Sequence, residues 1–361
     1  MKHYQAAALG EVARAILAAA GSKQPEIDTV ADHLVMANLS GHDSHGVGML
    51  PDYARFIDEG LYFPNQTPEV VEDRTAVLVV DGHRGLGQAM ALRALSLGVE
   101  KARQAGAAIV GLRNSGHVGR IGAYSEFCAA EGLASHHFVN VVDHTPIVAP
   151  YGGSDARFVT NPFSAGLPDG RGGASPMLDM ATSTIAMGKA RVARNKGVPV
   201  PEGTLMDAEG RMTTDPSAIV ERKEGALTAF GQHKGSGLAI ICELFAGALT
   251  GARTMQPAHE RKGSIINNML SVIIDPGALG DPSATVAETK AAIDWIKASP
   301  VAPGFDRVRM PGDPESEARE QRTRSGVPLD DRTVADIIAA GVRFGLDQST
   351  LEAAFTGGIR A

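Results

Sequence analysis

Within residues 41–46 the chain reads Gly41-His42-Asp43-Ser44-His45-Gly46, directly after an amphipathic stretch that ends in Val35, Met36, Ala37, Asn38 and Leu39. A helix end followed by a flexible turn holds a side chain at a fixed place beside a reacting centre, and imidazole is the side chain that titrates near neutrality. The segment reads as a proton-transfer corner. A hydrolytic reading fails, because there is no G-x-S-x-G and consecutive Ser, His and Asp do not by themselves form a triad. No Walker sequence is present, and no carboxylate pair for glycoside chemistry stands out.

Three further segments carry polar groups where ligands bind. Asn114-Ser115-Gly116-His117-Val118-Gly119-Arg120 follows an apolar strand at 107–110 and precedes a helix, so it lies at the carboxyl edge of a sheet with free N–H groups beyond it. Leu178-Asp179-Met180-Ala181-Thr182-Ser183-Thr184 runs from a strand toward a helix expected over 183–194, with small polar residues able to bond a ribose or amide or to cap the helix. In 230–237, Lys234 stands at a helix N-terminus, where a cation opposes the dipole unless an anion accompanies it; that anion is a pyrophosphate, a substrate carboxylate or a protein acid.

Two other patterns are weaker. Gly82, Gly85 and Gly87 follow a strand, but not in the G-x-G-x-x-G order, and the next strand lacks the ribose-binding acid, so an ordinary Rossmann turn is not expected. His136 and His137 are adjacent in a β stretch and point to opposite faces, which argues against one metal ion despite nearby Asp143 and His144.

The elements that must position these residues are legible from periodicity. Helices are expected over 3–20, 25–39 and 49–57, then strands and helices alternate from about residue 75: strand 76–80, helix 85–105, strand 107–110, helix 124–130, strand 135–142, helix 235–249, strand 269–274 and helix 286–297. Residues 202–215 read as an exposed excursion and 300–314 as a long connection, while the helical tail at 330–344 and 349–355 is expected to pack back on the first helices. The fold class is α/β, with 75–309 an α/β domain and 1–74 plus 310–361 a mostly helical domain.

The 361 residues, 43% of them hydrophobic, suffice for two domains. A formal charge of -7 with no long basic run argues against nucleic acid and anionic membrane surfaces as partners. Two cysteines, Cys128 and Cys242, each in an apolar stretch, and the lack of a signal-like or membrane-length apolar run point to the cytoplasm.

Taken in order, Ser44-His45-Gly46, residues 114–119, Thr160-Asn161-Pro162, residues 178–183 and His233-Lys234-Gly235 resemble the malate/L-lactate dehydrogenase family of non-Rossmann NAD(P)-dependent oxidoreductases over essentially the whole chain. The resemblance implies a mixed-sheet nucleotide-binding domain, a helical domain built from both termini, and a homodimer whose clefts involve both subunits. It implies His45 as proton donor to a 2-oxo acid, with His117 facing the cofactor and standing as the rival base. Ser44, Asp179, Met180, Ala181, Thr182, Ser183, Lys234, Pro311, Gly312 and Asp313 are its implied contacts to NAD or NADP, with Asp313 mildly favouring NAD. Many relatives carry Arg four residues beyond the histidine, where this chain has Met49; an apolar contact there favours a bulkier 2-oxo acid. Reduction of a cyclic imino acid is the related alternative, and an inactive binding or structural homo-oligomer the alternative of another class.

Overall fold

After a short strand, β1 (Lys2–Tyr4), apolar residues at three- and four-residue spacing form α1 (Ala6–Ala19) and α2 (Glu26–Leu39), which bury Leu9, Val12 and Ile16 on one and Ile27, Val30 and Leu34 on the other. The structure, a computed structural model, describes residues 1–358, apart from the side chain of Asn195. Two single 3-10 turns, Asp43–His45 and Val47–Met49, lead into α3 (Leu50–Asp58), whose first turn takes Pro51.

From residue 69 the chain builds its main sheet through β2 (Glu69–Asp73), β3 (Val77–Asp81), α4 (Gly87–Ala105), β4 (Ala107–Ser115), α5 (Gly122–Ala130), β5 (Ala134–Val142), β6 (Phe163–Pro168) and β7 (Ala174–Met180). Next come α6 (Met187–Lys196), β8 (Leu205–Met206), β9 (Met212–Thr213), α7 (Ser217–Val220) and β10 (Ala226–Leu227), then α8 (His233–Glu243), a π-helical turn at Leu244–Leu249, and β11 (Ile266–Ile274). The sheet order is β2-β3-β4-β11-β5-β6-β7, and β3 with β4 is its one parallel pair. The late strand β11 inserts between β4 and β5, antiparallel to both, so consecutive parallel βαβ units cannot form and the Rossmann arrangement is excluded.

The C-terminal part comprises α9 (Pro276–Leu279), α10 (Pro282–Lys297), α11 (Asp313–Ser325), β12 (Val327–Leu329), α12 (Asp331–Arg343) and α13 (Gln348–Gly357). Asp275, Asp281, Asp330 and Asp347 each cap the helix that follows by accepting a backbone N–H. β12 pairs antiparallel with β1, α12 packs on α3 and α13 on α1, so the two termini share one helical layer. One apolar core runs from that layer into β3, β4, β5 and β11.

Several expectations need correction. β2 precedes residue 75 yet is an edge strand of the sheet; its exposed Glu69, Glu72 and Asp73 gave no alternating signal. No helix starts at Ser183, because residues 181–186 are irregular and α6 begins at Met187. Residues 202–215 are not a bare excursion: β8 and β9 join β10 in a small sheet that buries Leu205 and Met206. The polar helix α11 follows the long connection at 298–312, and no apolar stripe announced it. Among the described residues no helix is long and apolar enough to cross a membrane.

Candidate active site

The corner that carries His45 is held from inside and outside. The buried Asn38 amide donates to Asp43 Oδ1 (2.8 Å) and accepts from Val47 N (2.8 Å), filling the space where a side chain at position 46 would stand. A Cβ on Gly46 would come within 2.2 Å of Asn38 Oδ1, so the glycine of Ser-His-Gly is sterically required. From α11, Arg322 forks onto both oxygens of Asp43 at 2.6 and 3.0 Å and caps Asn38 O.

His45 meets His117, which lies between β4 and α5. The rings stack with centroids 5.1 Å apart, and His45 Nδ1 lies 3.0 Å from His117 Nε2. Behind them Tyr53 Oη is 2.7 Å from His117 Nδ1, and Gln88 Nε2 donates to Tyr53 Oη at 2.7 Å. Tyr62 Oη accepts the backbone N–H of His117 at 2.9 Å. His45 Nε2 has no hydrogen-bond partner among the described residues, and His45 is only partly buried. Burial, helped by nearby His42 and Arg120, pushes the His45 imidazole down to about 4. Burial and the neighbours His45 and His33 put His117 well below its ordinary value. Burial thus favours the neutral form of both rings.

Beside the pair lies a buried ion network. Arg120 places its guanidinium 2.9 Å from Glu126 and its Nε 3.0 Å from Asp179 Oδ2, the second contact off the N–H axis. His42 bonds Glu315 at 3.1 Å and lies 3.9 Å from Asp179. Burial pushes the Asp179 carboxyl up, against the lowering pull of His42 and Arg120. The side chain expected to face a cofactor is therefore engaged inside the protein.

The other expected contacts fall into two places. Thr182 donates its hydroxyl to Thr160 O and Asn161 O, and Ser183 to Ile185 O, so these hydroxyls hold their own turn and cap no helix. That turn, with Met180 and Ala181, abuts the segment leading to α8, since Phe230 N donates to Thr182 O. Lys234, in the first turn of α8, is exposed and has no anionic partner among the described residues. A Cβ on Gly188 would come 3.5 Å from that of Ser44, which brings the start of α6 against the His45 corner. Pro311 O accepts from Met177 N, which ties the 311–313 turn to β7. Asp313 bonds Met310 N and pairs with Lys297 at 3.0 Å, so its charge does not stand alone. An exposed cation in the first turn of an 11-residue helix, without an anionic partner among the described residues, fits a dinucleotide's pyrophosphate.

Met49 leans on the apolar core from its 3-10 turn. His137 is wholly buried between Ser135 Oγ and Ser271 Oγ and takes no part in the site. A cavity of about 530 Å³ opens beside Arg84, Arg113, Asn114, Asp143 and Arg253, with neither His45 nor His117 in its wall. Tyr53 and Gln88 escaped the sequence reading because both sit in helices of apolar pattern; the one available signal was that a buried tyrosine hydroxyl needs a partner.

Stacked imidazoles past the end of β4 and a cation in the first turn of a helix are groups that a dinucleotide-dependent oxidoreductase can use. The chain belongs to the malate/L-lactate dehydrogenase family, whose profile matches residues 4–338, and is thereby an NAD(P)-dependent dehydrogenase of 2-hydroxycarboxylates. It is 42% identical to hydroxycarboxylate dehydrogenase B of Escherichia coli K12, over 97% of this chain and 96% of that protein. A solved Escherichia coli structure provisionally described as a malate/lactate dehydrogenase superposes with a TM-score of 0.94 at 41% identity, covering 99% of both chains. The Δ1-piperideine-2-carboxylate reductase of Pseudomonas syringae pathovar tomato superposes with a TM-score of 0.78 at 28% identity, covering 94% of this chain and 100% of that one.

Proposed function

We propose that the protein reversibly reduces 2-oxo acids to 2-hydroxy acids, with His45 exchanging the proton at the substrate oxygen. The observation that carries this reading is the unbonded Nε2 of His45, on a ring fixed from behind by His117. NAD(P)H, when bound, supplies the hydride. Lys234 and the start of α8 hold its pyrophosphate, the backbone of residues 180–183 and the 311–313 turn its ribose and adenine side, and Ser44 and His117 border its reacting end. Protonated His45 donates from Nε2 to the oxygen as it gains charge, which leaves the imidazole neutral, and neutral His45 accepts the hydroxyl proton in the reverse direction.

With Met49 in place of a cationic fork, the substrate range extends to larger and more apolar acids of the phenylpyruvate type and to 2-oxoglutarate, beside malate- and lactate-like acids. The likeness to the piperideine-2-carboxylate reductase favours one second reading, C=N reduction of a cyclic imino acid. The test is the absorbance loss at 340 nm with NADH and NADPH in parallel, over phenylpyruvate, 2-oxoglutarate, oxaloacetate, pyruvate and piperideine-2-carboxylate. Turnover of the keto acids supports the reading, turnover of the imine alone replaces it with the second, and no turnover of any defeats both. The active unit is a homodimer, supported by the exposed apolar stripe Ile240, Ile241, Leu244, Phe245 and Leu249 along α8 and its π turn.

A further inference from the structure

The hydrogen bonds behind His45 run in single file, and heavy-atom positions alone leave their direction open. Gln88, on α4, is fully buried; its Nε2 donates to Tyr53 Oη, whereas its Oε1, equally buried, has no partner among the described residues. A primary amide is nearly symmetric in shape, so a half-turn exchanges Oε1 for Nε2 with little change in packing. With Nε2 toward Tyr53, the phenol donates to His117 Nδ1, His117 Nε2 donates to His45 Nδ1, and neutral His45 carries its hydrogen on Nε2. With Oε1 toward Tyr53, the phenol donates to the amide and accepts from His117 Nδ1. His117 Nε2 then accepts from His45 Nδ1, and His45 Nε2 presents a lone pair.

We propose that Gln88 and Tyr53 are positioning residues for proton transfer: their joint turn decides whether neutral His45 offers a hydrogen or a lone pair to the substrate. The proposal rests on His45 being the residue that exchanges the proton. Only the second arrangement completes the cycle. There His45 Nε2 takes the hydroxyl proton as the C2–H bond breaks and its electron pair leaves with the hydride. The imidazole pair then holds one extra proton, with hydrogens on His45 Nε2, between the rings, and on His117 Nδ1, where Tyr53 Oη receives it. In the reverse direction His45 Nε2 returns that proton to the oxygen as C2 gains hydride, and the rings are neutral again. No proton passes beyond His117, since Tyr53 and Gln88 only turn; the extra proton leaves to solvent from the open Nε2 of partly exposed His45 once the keto acid has gone, and enters by the same atom before reduction.

The groups facing this chain are His42, Arg120 and His33 toward His45, His33 on α2 toward His117, and Asp52, Tyr62 and Tyr124 on α5 toward Tyr53. His33 Nε2 is already taken by Arg120 N at 2.9 Å, and Tyr62 Oη by His117 N, so neither replaces Tyr53 at His117 Nδ1. The partnerless Oε1 of Gln88 is the acceptor the second arrangement needs.

Two substitutions separate the arrangements. Gln88→Glu offers an acceptor to Tyr53, and Gln88→Met, of similar length, offers neither acceptor nor donor. With Gln88→Glu, the pH midpoint of kcat/KM for hydroxy-acid oxidation rises by at least one unit, and ¹⁵N spectra of labelled histidine show His117 bearing hydrogen on Nδ1. With Gln88→Met, oxidation kcat falls at least tenfold at unchanged KM, and His117 bears hydrogen on Nε2. Two variants with the wild-type midpoint and the same His117 tautomer overturn the proposal, as does a shift of both midpoints in one direction. If the wild type turns over no keto or hydroxy acid, the functional reading fails, while the ¹⁵N spectra still decide the tautomer question; should one variant not fold, the midpoint and tautomer of the other decide the matter against wild type.

Discussion

At the scale of single residues, two adjacent imidazoles that burial keeps neutral are unusual company for an acid–base step at pH 7, and the burial is what gives the step its control. A histidine in water titrates near 6.5, whereas His45 is pushed down to about 4 by burial first and by His42 and Arg120 second. A group so depressed stays an unprotonated base throughout the neutral range and is lost only as pH falls toward that lower value. Oxidation measured as kcat/KM of the free enzyme is therefore expected to hold level from pH 8 to about 5.5 and to fall below it, where a solvent-exposed histidine base would already fail near 6.5; a pH profile over 4–9 checks this. His45→Ala is expected to lower kcat about 10²–10⁴-fold with NADH affinity, read by fluorescence titration, within twofold of wild type. Undiminished turnover in that variant would remove His45 from the mechanism. Asp179 illustrates the limit of reading residue types: a strand-end carboxylate before small polar residues looks like a ribose ligand, yet it lies against Arg120.

At the scale of elements, the site is a matter of close approach. A Cβ on Gly87, the first residue of α4, would meet Gly116 O at 2.2 Å and His117 O at 2.3 Å, so the helix start and the histidine turn share one position. Gly87→Ala must move the His117 backbone; the expected result is a stability loss of about 1–3 kcal/mol or more by overpacking, seen in denaturant unfolding, with a fall in kcat. The glycines at 82, 85 and 87, unsuited to a Rossmann turn, thus have a packing reason of their own. α8 makes the opposite kind of contribution, presenting Lys234 without a partner at its positive end. Lys234→Ala is expected to raise the NADH dissociation constant about tenfold, some 1.4 kcal/mol, with little change in kcat at saturating cofactor; an unchanged affinity would assign the anion contact elsewhere.

At the scale of the whole molecule, the termini close on each other and thereby build the catalytic corner. β12 pairs with β1, α12 rests on α3, and Arg322 of α11 grips Asp43, so the C-terminal helices brace a loop nearly 280 residues earlier in the chain. The apolar stripe on α8 and its π turn points outward, and in the proposed homodimer a second copy covers it. Leu244→Asp is expected to shift the species seen by light scattering from dimer to monomer mass and to reduce activity with it; a dimer that persists would place the contact on another face.

The chain's local chemistry determined much of this protein unaided. Helical period and strand runs placed most elements, and Ser44-His45-Gly46, 114–119 and His233-Lys234-Gly235, taken together, identified the family, because those features depend on neighbours within a few residues. What tertiary structure alone decided lies in pairings across long separations: β11 slotting between β4 and β5, α11 reaching back to Asp43, Asp179 turning to Arg120, and Tyr53 with Gln88 standing behind His117. Each depends on which backbone groups and charges remain unsatisfied once the core has packed, and a buried polar group finds its partner by position in space, not by its place along the chain.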